Sequence, residues 1–211
     1  MKAHLYDDYG TRLYFNEAER KAFIQTADKV QDQKTRTFCS LLHYTGCNFT
    51  EALKFTAQQV DCSRRVIVFS GLLPHLAHIK RAIPVPDSFI ELLDEVHGVR
   101  SAASGLHATE QLWPQSKKTM HEKVCKVIAA AGISGGPHAL PKGIRHGFFV
   151  QAIRSRVCIT RLQKWMGHSF MEYTMQYVAQ LLQHAPELLG DDRADAKRMW
   201  SDDDQIGERG T

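Results

Sequence analysis

Pro141-Lys142-Gly143-Ile144-Arg145-His146-Gly147-Phe148 sets a lysine and an arginine one helical turn apart, behind a glycine- and proline-rich approach from Gly132 to Pro141. At i and i+3 two cationic head groups can reach the same point. Arg145 lies among Ile144, Phe148 and Phe149, and a guanidinium in apolar surroundings is expensive to bury without a partner of opposite charge. Further on, Trp165-Met166-Gly167-His168 is followed, nine positions after the histidine, by Tyr177. Arginine, lysine and histidine suit the oxygens of a phosphodiester, and a tyrosine hydroxyl can attack one and hold it covalently.

Working outward, the pattern is helical almost throughout. Asn16-Glu17-Ala18-Glu19 has the form of a capping box, with Ala22, Phe23, Ala27 and Val30 following at helical spacing. A second helix is expected from Lys34 through Phe38, Leu41 and Leu42 to Tyr44, stopping at Gly46, and a short one over Glu51–Phe55 leading into Val60-Asp61. Val66-Ile67-Val68-Phe69 is β-branched and aromatic and reads as a strand, with its return from Ile79 to Val85 flanked by prolines. The loop between them carries His75 and His78. Phe89, Leu92, Leu93 and Val96 predict a helix ended by Gly98, and residues 100–108 a surface loop. Lys117 to Ala131 reads as a helix with Val124, Val127 and Ile128 on one face and Lys117, Lys118, Lys123 and Lys126 around it. Helices are then expected over Ile144–Ser155, Arg161–Met166 and Glu172–Gln183, with a short amphipathic one over Arg193–Trp200 and a disordered polar tail. The fold class expected is mainly α with a small antiparallel β-sheet (α+β), divided into a segment 1–15, a body 16–190 and a C-terminal helix and tail 191–211.

The 211 residues, 43% of them hydrophobic, suffice for a proper core. The net charge is +4, and because residues 191–204 carry an acidic excess the body is more basic than that total. A polyanionic partner fits this balance. Cys39, Cys47, Cys62, Cys125 and Cys158 are odd in number and lack metal-ligand spacing, so they read as reduced packing residues of a cytoplasmic protein. No apolar run reaches membrane-spanning length, no signal-peptide pattern opens the chain, and neither a Walker-type loop nor a two-metal carboxylate cluster appears.

The quoted segments resemble the tyrosine recombinases, or phage-type integrases. Pro141–Phe148 is similar to their His/Lys-x-x-Arg-His box, and Trp165–His168 with Tyr177 to their Leu-Gly-His box and its downstream tyrosine. Thr45-Gly-Cys-Asn-Phe-Thr-Glu-Ala-Leu53 is similar to their Thr-Gly-x-Arg-x-x-Glu-x-Leu segment, and Arg81-Ala-Ile-Pro-Val-Pro86 to the strand closing the catalytic hairpin. Together these cover roughly residues 13 to 200. The resemblance implies a recombinase catalytic domain, here without the usual N-terminal DNA clamp, as a short enzyme or part of a longer chain. It implies DNA strand exchange in which Tyr177 attacks a phosphate of double-stranded DNA, a 3′-phosphotyrosine forms and a 5′-hydroxyl leaves, with no cofactor. Arg145 would hold the phosphate, Lys142 would assist proton transfer, and His168 would donate to a non-bridging oxygen. Nearby cations would lower the pKa of Tyr177, which only its offset from His168 distinguishes from Tyr173. Lys117, Lys118, Lys123 and Arg81 would meet DNA, and the C-terminal helix, through Met199 and Trp200, a neighbouring protomer.

Two positions depart from the family pattern. Asn48 stands where the first phosphate-binding arginine is expected, with Glu51 at the position of its acidic support. The first hairpin strand ends without a lysine, leaving Lys80 on the returning strand as the candidate acid for the leaving group. Alongside the recombinase stand a degenerate recombinase fold acting as a DNA-binding or accessory factor and, more weakly supported, a protein-interaction module.

Overall fold

The computed structural model describes residues 4–70, 80–103, 105 and 108–189. His75, His78 and the expected helix bearing Met199 and Trp200 lie outside the described residues. The helices are α1 (Glu17–Ala27), α2 (Gln33–Thr45), α3 (Phe49–Leu53), α4 (Asp87–His97), α5 (Val99–Ala102), α6 (Lys117–Ala130), α7 (Pro141–Arg154), α8 (Ile159–Met166) and α9 (Met171–His184). The strands β1 (Val60–Asp61), β2 (Val66–Ser70) and β3 (Lys80–Pro84) form one antiparallel sheet in the order β1-β2-β3.

The helix ends follow from their residues. Asn16 and Glu19 form the expected capping box at α1, Asp32 caps α2, and Ser116 caps α6 through the Thr119 amide. Proline at the first position of α7 loses no hydrogen bond, so that helix begins at Pro141 rather than Ile144. It therefore takes in Lys142. Residues 100–102, expected to open a loop, instead continue a short helix from Val99, because left-handed Gly98 turns the chain and Val99 is fully buried.

Helix α2 occupies the centre, packed by α1, α4, α6 and α7. Its buried face meets Phe23, Phe55, Phe89, Trp113 and Phe149 in a single core. Trp113 is fully buried, stands edge-on to Phe38, stacks on Phe55 and donates its indole N–H to Thr37 Oγ1 at 3.2 Å. That bond satisfies a polar atom that would otherwise be costly at this depth. The sheet sits at the edge of the core, where α8 packs on β3. In its register Phe69 faces Arg81 and Ser70 faces Lys80, so alternation turns Arg81 and buried Ile83 inward and leaves Lys80 exposed.

Candidate active site

Arg145, on α7, bridges two helix ends. One Nη donates to the Gly46 carbonyl and the other to the Met166 carbonyl, each at 2.7 Å. The carbonyls at a helix C-terminus lack intrahelical partners and carry the negative end of its dipole, so a cation is favourable at both places. Gly46, which closes α2 at φ 57°, has to be glycine: a Cβ there would stand 2.5 Å from the Phe148 ring. Burial pulls the Arg145 guanidinium below its ordinary pKa, while Glu51 and Tyr177 act in the opposite direction.

His168 follows Gly167, the left-handed residue ending α8. Its Nδ1 lies 2.9 Å from the Thr174 hydroxyl on α9, and its backbone amide donates to Gln163. Burial first, then Arg145 and Arg81, push its pKa down to about 4, so the ring is neutral at pH 7. Tyr177 turns inward from α9 with Thr174 and Leu181. Its ring stacks on His168 at 5.6 Å and 16° and lies 4.7 Å from Phe149 and 5.5 Å from His146. Only 5% exposed, it has a raised pKa, because burial outweighs the lowering by Arg145. This corrects the expectation that the cations prevail. Tyr173 is half-buried, 6.4 Å from His168 between ring centres. His146, on α7, is buried and donates from Nδ1 to the Leu13 carbonyl at 3.0 Å, which leaves Nε2 without a proton in the neutral ring.

The expected lysines divide into three groups. Lys142 is exposed on the first turn of α7 and its charge reaches His146, while Lys80 is exposed at the start of β3. Lys117 and Lys118 are exposed on the first turn of α6. Lys123 is not a free cation: it binds Asp32, the cap of α2, at 2.7 Å.

Arg81 is not a surface contact either. Its Nη atoms grip the two oxygens of Glu51 at 2.8 and 2.6 Å, both side chains being 9% exposed. Its Nε donates to the Trp165 carbonyl at 3.0 Å, and its Cζ lies 4.7 Å from the centre of the Phe69 ring. Glu51 also accepts the Asn48 amide at 2.8 Å, while the exposed Asn48 side chain accepts from Thr50, closing a capping box on α3. Glu51 therefore serves at once as helix cap and as support for an arginine. The arginine comes from β3. The trace of this in the sequence was the inward register of position 81, since a strand arginine on the same face as Ile83 calls for a buried partner. Thr174, the partner of His168, had no such signal.

The phage integrase family model matches residues 12–184. The chain belongs to the phage integrase family. Solved structures of similar fold include XerA recombinase, with 17% identity, a TM-score of 0.64 and coverage of 95% of this chain and 66% of that one. The catalytic domain of bacteriophage HP1 integrase is 19% identical with a TM-score of 0.57, covering 82% of this chain and 95% of that domain. The Tn1549 transposon integrase in complex with transposon right end DNA is 19% identical with a TM-score of 0.63, covering 85% of this chain and 68% of that one. At such identities the likeness is one of fold, mainly helical with a small three-stranded antiparallel sheet. The phage integrase chain described here spans less than two thirds of XerA and 59% of XerH. No curated protein matches its sequence.

Proposed function

We propose that this phage integrase family member breaks and rejoins double-stranded DNA through a 3′-phosphotyrosine at Tyr177. One observation carries the reading: the two motifs that spacing alone linked converge, with Tyr177 stacked on His168 and coupled electrostatically to Arg145. In the reaction the Tyr177 hydroxyl gives up its proton as its oxygen attacks phosphorus, the bond to the 5′ oxygen breaks, and that oxygen takes up a proton and leaves as a hydroxyl. A second strand's hydroxyl reverses the step. Arg145 holds the phosphate, and neutral His168, when Thr174 donates to its Nδ1, carries its own proton on Nε2 for a phosphate oxygen. Lys142 and the exposed Lys80 are the candidates for proton transfer, and Lys117 and Lys118 for contacts to the backbone. The segment 193–200, expected as a helix from its sequence, is proposed to meet a neighbouring protomer on DNA, and the five free cysteines fit a cytoplasmic setting.

A second reading has its own support. Tyr177 is buried and Asn48 carries no charge, as suits a protein that binds DNA without cutting it. A nicked suicide duplex, its sequence first selected from random duplexes by binding, separates the two. Cleavage predicts a covalent adduct that Tyr177→Phe abolishes while noncovalent binding persists. Binding without adduct in the unaltered protein selects the second reading. An adduct that survives Tyr177→Phe and disappears in Tyr173→Phe moves the nucleophile to Tyr173.

A further inference from the structure

The two arginines at the end of α8 are neighbours. Trp165 and Met166 present successive carbonyls, the first occupied by Arg81 and the second by Arg145. Room for this comes from Gly167, where a Cβ would stand 3.0 Å from Arg81 Nη1 and 3.1 Å from its Cζ. The Arg81 guanidinium thus lies directly against the turn that presents His168, and the charges of both arginines act on that ring. Arg145 also acts on Tyr177.

The charges in this corner do not balance. Among the described groups acting on Arg145 the one carboxylate is Glu51, which already holds Arg81 through both oxygens. Two guanidinium groups thus share one carboxylate, and His168 is neutral. Like charges this close, with the Arg81 side chain 9% exposed and Arg145 partly buried, are unfavourable unless an anion joins them. Arg81 can receive one. Its bonds to Glu51 and Trp165 use one hydrogen on each nitrogen, and each Nη carries a second hydrogen that these bonds leave unused. The carboxylate and the Trp165 carbonyl hold the fork rigid, which is the preorganisation that charge stabilisation requires.

We infer that Arg81, together with Arg145, binds the phosphate on which Tyr177 acts, so that β3 supplies the cation that position 48 does not. The assignment rests on the DNA-cleavage reading above. Asn48 is turned away from such a role, its side chain being spent on capping α3. Glu51 becomes a positioning residue for Arg81, and the Gly167 turn carries His168 to the same phosphate.

Titration of the full chain with inorganic phosphate at constant ionic strength, following the Nε–Hε resonances of the arginines by NMR, tests this without a DNA site. The signals of Arg81 and Arg145 are expected to move along one saturation curve. Arg81→Lys, which keeps the charge but loses the fork, is expected to weaken phosphate binding about tenfold. If Arg145 responds while Arg81 stays still, or if Arg81→Lys binds phosphate as the unaltered protein does, the assignment of Arg81 is wrong and that of Arg145 stands. If neither resonance moves, the phosphate site as a whole is wrong, and the cleavage reading falls with it. Because the unaltered protein carries the main measurement, poor folding of the variant cannot obscure the result.

Discussion

The α7–α9 side of the molecule and the corner between α3 and β3 reached their charges by different routes. On the first side, adjoining helices stack Tyr177 on His168 and set Arg145 near enough for its charge to act on both. In the corner, Asn48 does only local work, and the arginine held by Glu51 comes from a strand 30 positions further along the chain. A motif on a helix or a helix pair preserves its geometry because the helical repeat does. A charge supplied by strand register depends on long-range pairing, so it can move between elements while the same carboxylate continues to hold it.

The largest effect that would break this comparison belongs to the corner. Glu51→Ala removes the partner of a 9%-exposed arginine and one half of the capping box on α3. Leaving one member of a buried pair uncompensated typically costs about 3–5 kcal/mol. The urea midpoint should fall accordingly with an unchanged m-value, and Glu51→Ala combined with Arg81→Met should recover much of the loss. No recovery in the double variant would mean that the pair is not a unit.

On the other side, Arg145→Ala is expected to lower the rate of adduct formation by about a hundred- to a thousandfold, the usual effect of losing one preorganised donor. It also unbinds the Gly46 and Met166 carbonyls, so binding and stability should decline together. Cleavage at the original rate would remove Arg145 from the chemistry.

Acid should act through buried imidazoles. Burial lowers His43 and His146 to about 3 and His97 and His168 to about 4. The unfolded chain takes up these protons near pH 6.5 and the folded chain only well below it, so their contribution is complete above about pH 6.5 and is lost as pH falls toward 4. Each contributes up to about 1.4 kcal/mol per pH unit, less for the partly exposed rings. Unfolding free energies at pH 7, 6 and 5 should therefore descend. His146→Asn should flatten that descent by about one proton's worth, and an equal slope in the variant would mean that His146 is protonated in the folded protein.

Much of this was legible in the residues. The capping box at Asn16, the helix stop at Gly46 and the β-branched run at 66–69 depend on local chemistry, and the structure follows them. What escaped depends on contacts between distant segments. The bond from Lys123 to Asp32 joins α6 to the start of α2, and the grip of Arg81 on Glu51 joins β3 to α3. Neither partner is adjacent in sequence, and a charged side chain reads as solvated until its neighbours are known. The pKa of Tyr177 also escaped, because a count of nearby cations does not register the depth at which the ring is buried.

The smallest expected effect discriminates best between the two routes. If position 48 were simply a defect, Asn48→Arg would restore a missing cation and raise adduct formation by orders of magnitude. The structure leads to the opposite expectation. Both oxygens of Glu51 already bind Arg81, and one also binds the residue 48 amide, so a new guanidinium would find its expected carboxylate engaged. It would add a third positive charge beside Arg81 and Arg145. The substitution also deletes the side-chain cap of α3, at about 1 kcal/mol. Asn48→Arg should therefore lower the melting temperature by a few degrees and leave the adduct rate within about threefold, an allowance for the indirect cost of the lost cap. Asn48→Asp should keep both the cap and the rate. A large gain in Asn48→Arg, with Arg81→Met then harmless in that background, would show that the cation belongs on α3 and that Arg81 only supports the fold.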